Sequence, residues 1–225
     1  MSRSVRFHEF GGPEVLKIED VVVPNPGPKE VRLRIKAFGL NRSEVLTRSG
    51  KAVTKATLPA QLGLEAAGLI EALGSEVDGL GVGDRVAVIP GETGRGYYGE
   101  LALAPARTVV KIPDDQSWQE AAATWMAFAT AWTGLISIAG LSAGWTVLIT
   151  AASSSTGLAA IQTARKVGAI PIALTRTSAK AAALREAGAA HIIATEEQDL
   201  VAKVAQGLKD TYRQRILEQR NAAKD

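Results

Sequence analysis

Residues 146–157 read TVLITAASSSTG, an apolar run that gives way to small and hydroxyl side chains and then to the helical pattern LAAIQTARKVGA. A turn of this kind can carry phosphate chemistry, because small residues let a dinucleotide's pyrophosphate reach backbone N–H groups at a helix N-terminus. Aligned on G-x-G-x-x-G, the three glycine positions hold Ala152, Ser154 and Gly157, so the pattern is only partly present. A plain strand-to-helix turn with a Ser or Thr N-cap fits the same residues. Further along, IALTRTSAK sets Thr175, Arg176, Ser178 and Lys180 behind a second apolar run. A site selective for NAD usually has Asp or Glu here for the ribose 2′-hydroxyl, whereas donors and cations suit the 2′-phosphate of NADP. The plainer alternative is a solvated Arg and Lys at a helix start.

Composition narrows the rest of the chemistry. The 225 residues contain no cysteine and two histidines, His8 and His191, which excludes disulfides, thiolate metal sites and a cysteine nucleophile. A net charge of +3 without a clustered basic face gives no reason to expect a nucleic-acid partner. The N-terminus lacks the apolar core of a secretory signal, so a cytoplasmic protein is expected. Ala121 to Ala164 carries no charged residue, and its first half is long enough to cross a bilayer. Its Ala, Thr, Ser and Gly content and the turn that follows predict a core helix of a soluble domain, with no membrane partner.

The elements that must position these residues fall into two textures. Up to Pro113 the chain is strand-rich and punctuated by Gly and Pro, and EVRLRIKAF predicts Val31, Leu33, Ile35 and Ala37 on one face. Residues 1–113 are therefore expected to form an antiparallel β domain. From Asp114 helical and strand-like runs alternate, opening on Ser117 and Glu120 at capping-box spacing. Such alternation implies right-handed crossovers and a parallel sheet over 114–206, with the AASSSTG turn at the carboxyl end of its first strand, where such sheets bind ligands. Residues 207–225 form a polar tail that is expected to be helical.

FGGPEVLKIEDV, PKEVRLRIKAFGLNRSEVLTRSG, GLEAAGLIEALG, GVGDRVAV, GYYGEL and VLITAASSSTGLAAIQTARKVGA follow one another in this order. Together they resemble the zinc-independent quinone oxidoreductase branch of the medium-chain dehydrogenase/reductase superfamily, from Val5 to about Gln206. The resemblance implies an α/β protein with an N-terminal GroES-like β domain followed by a partial Rossmann fold of three parallel strands. It implies that the cofactor pyrophosphate lies over Ala151, Ser153, Ser154, Ser155, Thr156 and Gly157, with NADP as cofactor and a quinone or enone as substrate. Gly157 has an equally good role in packing helix on strand. By the same resemblance Asn41 faces the reacting end of the cleft and Thr130 lies near the nicotinamide; a buried Thr130 bonded to its own helix is the alternative.

Zinc-dependent relatives carry a Cys near the position of Asn41, a His beside the motif glutamate and a four-Cys lobe. Here those places hold Asn41 and Leu64, and there is no cysteine. Where some relatives have a tyrosine as proton donor this chain has Leu46; Tyr97 and Tyr98 are nearby candidates with no assigned role. The family fold also implies roughly another hundred residues, so only the first half of a 3-2-1-4-5-6 sheet is expected here. Two functions follow: an NADPH-dependent quinone or enone reductase, or a non-catalytic relative that binds nucleotide weakly or acts through protein association. An exposed first strand would favour a homo-oligomer.

Overall fold

Short apolar runs broken by Gly and Pro fold as strands through the first of two units, Met1–Met126; the second is Ala127–Asp225. The computed structural model describes residues 1–91 and 96–222. Two residues of the GRGYYGEL segment, Gly94 and Arg95, and the last three of the tail lie outside the described residues. In the first unit β1 (Ser2–Phe7) pairs antiparallel with β2 (Lys17–Val21). Next come β3 (Glu30–Phe38), helix α1 (Arg42–Arg48) and β4 (Ala60–Gln61), which takes the other edge of β1. Then β5 (Ala66–Leu73), β6 (Arg85–Val88), β7 (Leu101–Pro105) and β8 (Val109–Lys111) join β3 in an antiparallel sheet of order β7-β3-β5-β6-β8.

The alternation in β3 holds at its start and then breaks. Val31 and Leu33 are fully buried and pack with Ile70, Val86 and Val88, with Ile35 against the same cluster. Ala37 does not share that face. The register with β5 shifts between Ile35 and Ala37, and Ala37 packs instead with Ala67, Ala87 and Ala121. An irregularity in the pairing reverses which way later side chains point, so strict period-2 counting fails beyond it. On the polar side Arg32 and Arg34 both reach Glu71.

Helix α2 (Trp118–Trp132) starts at the expected capping box: Ser117 Oγ accepts from Glu120 N at 3.2 Å and Glu120 Oε2 accepts from Ser117 N at 3.1 Å. Its continuation, Thr133–Ile138, is π-helical. The expectation of a core helix is corrected here. Ala121, Ala122, Ala127 and Ala131 are buried, but only 22% of the most apolar 18 residues are, and Trp132 and Ile138 are 51% and 79% exposed. By length and composition alone Trp118–Ile138 is apolar enough to cross a membrane. Uncharged Ala, Thr and Gly positions satisfy an apolar count without committing every face to a core.

The second unit continues as β9 (Thr146–Ile149), α3 (Ser155–Lys166), β10 (Ile170–Thr175), α4 (Ala181–Ala187), β11 (His191–Ala194) and α5 (Leu200–Ala222). Its three strands pair parallel in the order β11-β10-β9, as strands separated by crossover helices should. Ala159, Ala160 and Ile161 of α3 pack with Ile149, Ala173 and Leu184 to form the core. Strand β9 is an edge of this sheet, and its Leu148 is 43% exposed. Helix α5 runs unbroken past residue 206 into the polar tail.

Candidate functional site

The turn between β9 and α3 settles the local role of each residue in AASSSTG. Ala151 has φ 47°, a left-handed conformation that costs a non-glycine residue energy and marks a tightly determined turn. Ser154, at φ −77° and ψ 163°, needs no glycine and is the N-cap: its Oγ accepts from Gly157 N at 3.0 Å. Its own hydroxyl hydrogen can still point outward. Ser155 and Thr156 open the helix, ahead of any intrahelical acceptor for their N–H groups. Ser153 is half-buried and Ala152 fully buried. At Gly157 a Cβ would sit 2.6 Å from the carbonyl oxygens of both Ala151 and Ala152, so glycine is required for the helix to close on the turn. That is the packing role allowed by the sequence.

The second stretch meets the first. Ala152 N donates to Leu174 O at 3.1 Å, tying the turn to the carboxyl end of β10. Thr175 ends that strand half-buried, and Arg176, Ser178 and Lys180 follow it exposed. The turn after β11 is bonded to the same exit: Thr195 N donates to Thr175 O at 2.8 Å, Glu196 N to Arg176 O at 2.9 Å, and Ser178 N to Glu197 Oε1 at 3.0 Å. All these residues stand at the carboxyl edge of one parallel sheet, where α/β folds bind nucleotides. Thr130 lies on α2 and is exposed.

Asn41 belongs to the first unit, where two buried carboxylates hold it. Glu44 is 4% exposed and Oε2 accepts from Asn41 N at 2.7 Å and from Tyr98 Oη at 2.7 Å, while Oε1 accepts from Leu64 N at 3.1 Å. Glu65, 3% exposed, accepts from Asn41 Nδ2 at 3.1 Å and from Met126 N at 2.8 Å. Tyr98 stacks on Phe38 with ring centroids 4.4 Å apart and commits its hydroxyl proton to Glu44, so its phenol is held well above the ordinary range, first by burial and then by that bond. Leu46 is 40% exposed. Sequence reading missed Glu44 and Glu65 as supports of Asn41. N-R-S-E has capping-box spacing and was a legible signal for the first.

Glu44 also lines a cavity of about 700 Å³ in the first unit, together with Thr47, Gln61, Leu62, Gly63 and Leu64, a volume typical of small-molecule sites. Burial pushes its carboxyl above the ordinary glutamate value, outweighing the opposing pull of Tyr98 and of the backbone donors. A proton on Glu44 thus binds more tightly in the folded unit than in the unfolded chain. The stability it contributes is fully present below the ordinary pKa and is lost as pH rises through the raised one. Urea unfolding of wild type and Glu44→Gln from about pH 4 to 8 should show wild type losing stability relative to the variant as pH rises. A pH-independent difference would assign Glu44 no titration in this range.

Residues 27–114 match the alcohol dehydrogenase GroES-like domain. Quinone oxidoreductase from Lama guanicoe is 39% identical over 166 residues, which is 73% of this chain and 50% of that protein. Among solved structures, quinone oxidoreductase from Pseudomonas syringae pv. tomato superposes with a TM-score of 0.85 at 36% identity, covering 94% of this chain and 64% of its own. Escherichia coli quinone oxidoreductase complexed with NADPH gives 0.82 at 30% identity, covering 93% and 63%. The chain spans about half the length of the curated relatives it matches.

Proposed function

Since the chain belongs to the quinone oxidoreductase branch of the medium-chain dehydrogenase/reductase superfamily, we propose that it is a zinc-independent oxidoreductase that uses NADPH to reduce a quinone or an α,β-unsaturated carbonyl. The observation that carries this reading is the meeting of two stretches at one sheet edge: the AASSSTG turn and the cationic exit of β10, joined through Ala152 N and Leu174 O. The fit to a dinucleotide rests on the cradle at Gly157, which a Cβ would fill, and on the N–H groups of Ser155 and Thr156 that open α3. A relative of the same branch is known complexed with NADPH.

In this reading Ala151 to Gly157 receive the pyrophosphate, with Ser153, Ser154 and Ser155 offering hydroxyls. Thr175, Arg176, Ser178 and Lys180 receive the adenosine 2′-phosphate. When bound, the nicotinamide supplies a hydride. Thr130 is the hydroxyl beside it. Asn41 polarises the substrate carbonyl: Glu65 accepts one hydrogen of its amide and fixes the group, which leaves the other hydrogen for an acceptor oxygen. Zinc is not required, because Asn41 and Leu64 stand where zinc-dependent relatives carry ligands and the chain has no cysteine. The partner is a small molecule, neither nucleic acid nor membrane, and the setting cytoplasmic, with a homo-oligomer as the assembly.

Arg176→Ala should weaken NADPH by about 1–3 kcal/mol, the scale of a charge-assisted contact, and leave NADH nearly unchanged. Titration of both cofactors reads this, and equal losses would remove Arg176 from the 2′-phosphate site. NADPH consumption with a small quinone and an enal tests the reaction itself. Turnover selects the reductase, and binding without turnover selects a nucleotide-binding relative that does no chemistry.

A further inference from the structure

Glu197 stands in a place that nothing in the sequence pattern assigned. Its turn is fastened to the exit of β10 by backbone bonds, Thr195 N to Thr175 O and Glu196 N to Arg176 O, so the position of Glu197 is set by the sheet and not by side-chain chance. From there Oε1 accepts from Ser178 N at 3.0 Å. Ser178 lies between Arg176 and Lys180, the two cations read above as partners of a 2′-phosphate. Among the described residues neither cation forms an ion pair with Glu197, so the carboxylate takes a donor from that segment without being neutralised by it.

We propose that Glu197 is a specificity-determining residue for the cofactor: its carboxylate holds the Ser178 amide against the 2′-phosphate and so lowers the preference of this chain for NADPH over NADH. This rests on the reading of residues 175–180 as the adenosine end of the cofactor site. One N–H cannot serve two anions, and a phosphate brought within hydrogen-bond reach of Ser178 meets a carboxylate of the same sign. NADH carries a neutral 2′-hydroxyl at that point and meets no such opposition; a carboxylate is in fact the acceptor that such a hydroxyl uses in NAD-selective sites. Arg176 and Lys180 pull toward NADPH and Glu197 pulls the other way.

The experiment is a titration of the 225-residue chain and its Glu197→Gln and Arg176→Ala variants with NADPH and with NADH, followed by calorimetry or nucleotide fluorescence. Glutamine keeps the oxygen that Ser178 needs and removes the charge at an exposed position, and the thermal transition of each variant checks the fold. The expected result is a shift of the NADH-to-NADPH Kd ratio toward NADPH of about fivefold or more in Glu197→Gln, shrinking at high salt as a charge effect should. An unchanged ratio in Glu197→Gln, with Arg176→Ala still losing NADPH alone, overturns the role of Glu197 and leaves the cofactor site standing. An unchanged ratio in both variants, or no binding of either cofactor by wild type, overturns the site and the inference together.

Discussion

Gly157→Val should abolish measurable NADPH binding while the first unit keeps its fold. A Cβ at this position lies 2.6 Å from two carbonyl oxygens and 2.7 Å from the carbonyl carbon of Ala152, all backbone atoms that cannot swing aside. Relief requires α3 to move away from the turn, and overpacking of this kind costs about 1–3 kcal/mol even before the branches of valine are counted. The helix carries the Ser155 and Thr156 N–H groups with it, so the donors aimed at a pyrophosphate are displaced together. A misplacement of about one ångström is worth roughly a hundredfold where geometry must be held. NADPH titration and a thermal scan of the same sample check it. Wild-type affinity in a folded Gly157→Val chain would show that the turn holds no pyrophosphate, and Gly157→Ala should fall between the two.

What the sequence made legible here were features closed within a few residues. The Ser117–Glu120 capping box, the strand-turn-helix course of 146–166 and the parallel order of β9, β10 and β11 follow from spacing and alternation, and each formed as expected. Ser154 as N-cap was one of two readings of the turn, and it is compatible with the other: the cap takes Gly157 N and leaves the Ser155 and Thr156 N–H groups at the opening of α3. Ala37 failed because a register shift in β3 depends on its pairing with β5, which no local window contains. The exposure of α2 failed for a different reason. An uncharged stretch states that burial is affordable on every face, whereas packing decides which faces are buried. Tyr98 and Glu44 meet across 54 positions in the chain, so neither could announce the other. Glu197 faces Ser178 by the same kind of long-range closure, fixed by β11 lying beside β10.

Replacing Glu65 by alanine should destabilise the first unit by about 1–3 kcal/mol, the cost of leaving the buried Asn41 Nδ2 donor without its acceptor. Its two oxygens divide the work, Oε1 taking Asn41 Nδ2 and Oε2 taking Met126 N, and the residue is 3% exposed, so water has little access to replace either bond. The chain makes room for this side chain at Gly39, where a Cβ would lie 2.3 Å from Glu65 Oε1. Filling space and accepting hydrogen bonds are separable explanations, and Glu65→Gln separates them. Glutamine has nearly the same volume but a single oxygen, so with that oxygen on Met126 N its amide nitrogen faces Asn41 Nδ2, and only a flip of the Asn41 amide, which gives up the orientation Glu65 imposes, relieves donor against donor. If acceptors are what matter, Glu65→Gln should lose a large part of the alanine cost, up to about 1–3 kcal/mol. If volume is what matters, it should cost almost nothing. Urea unfolding of the three proteins at one pH decides between these, and a glutamine variant as stable as wild type would mean that the second carboxylate oxygen adds nothing to the stability of the unit.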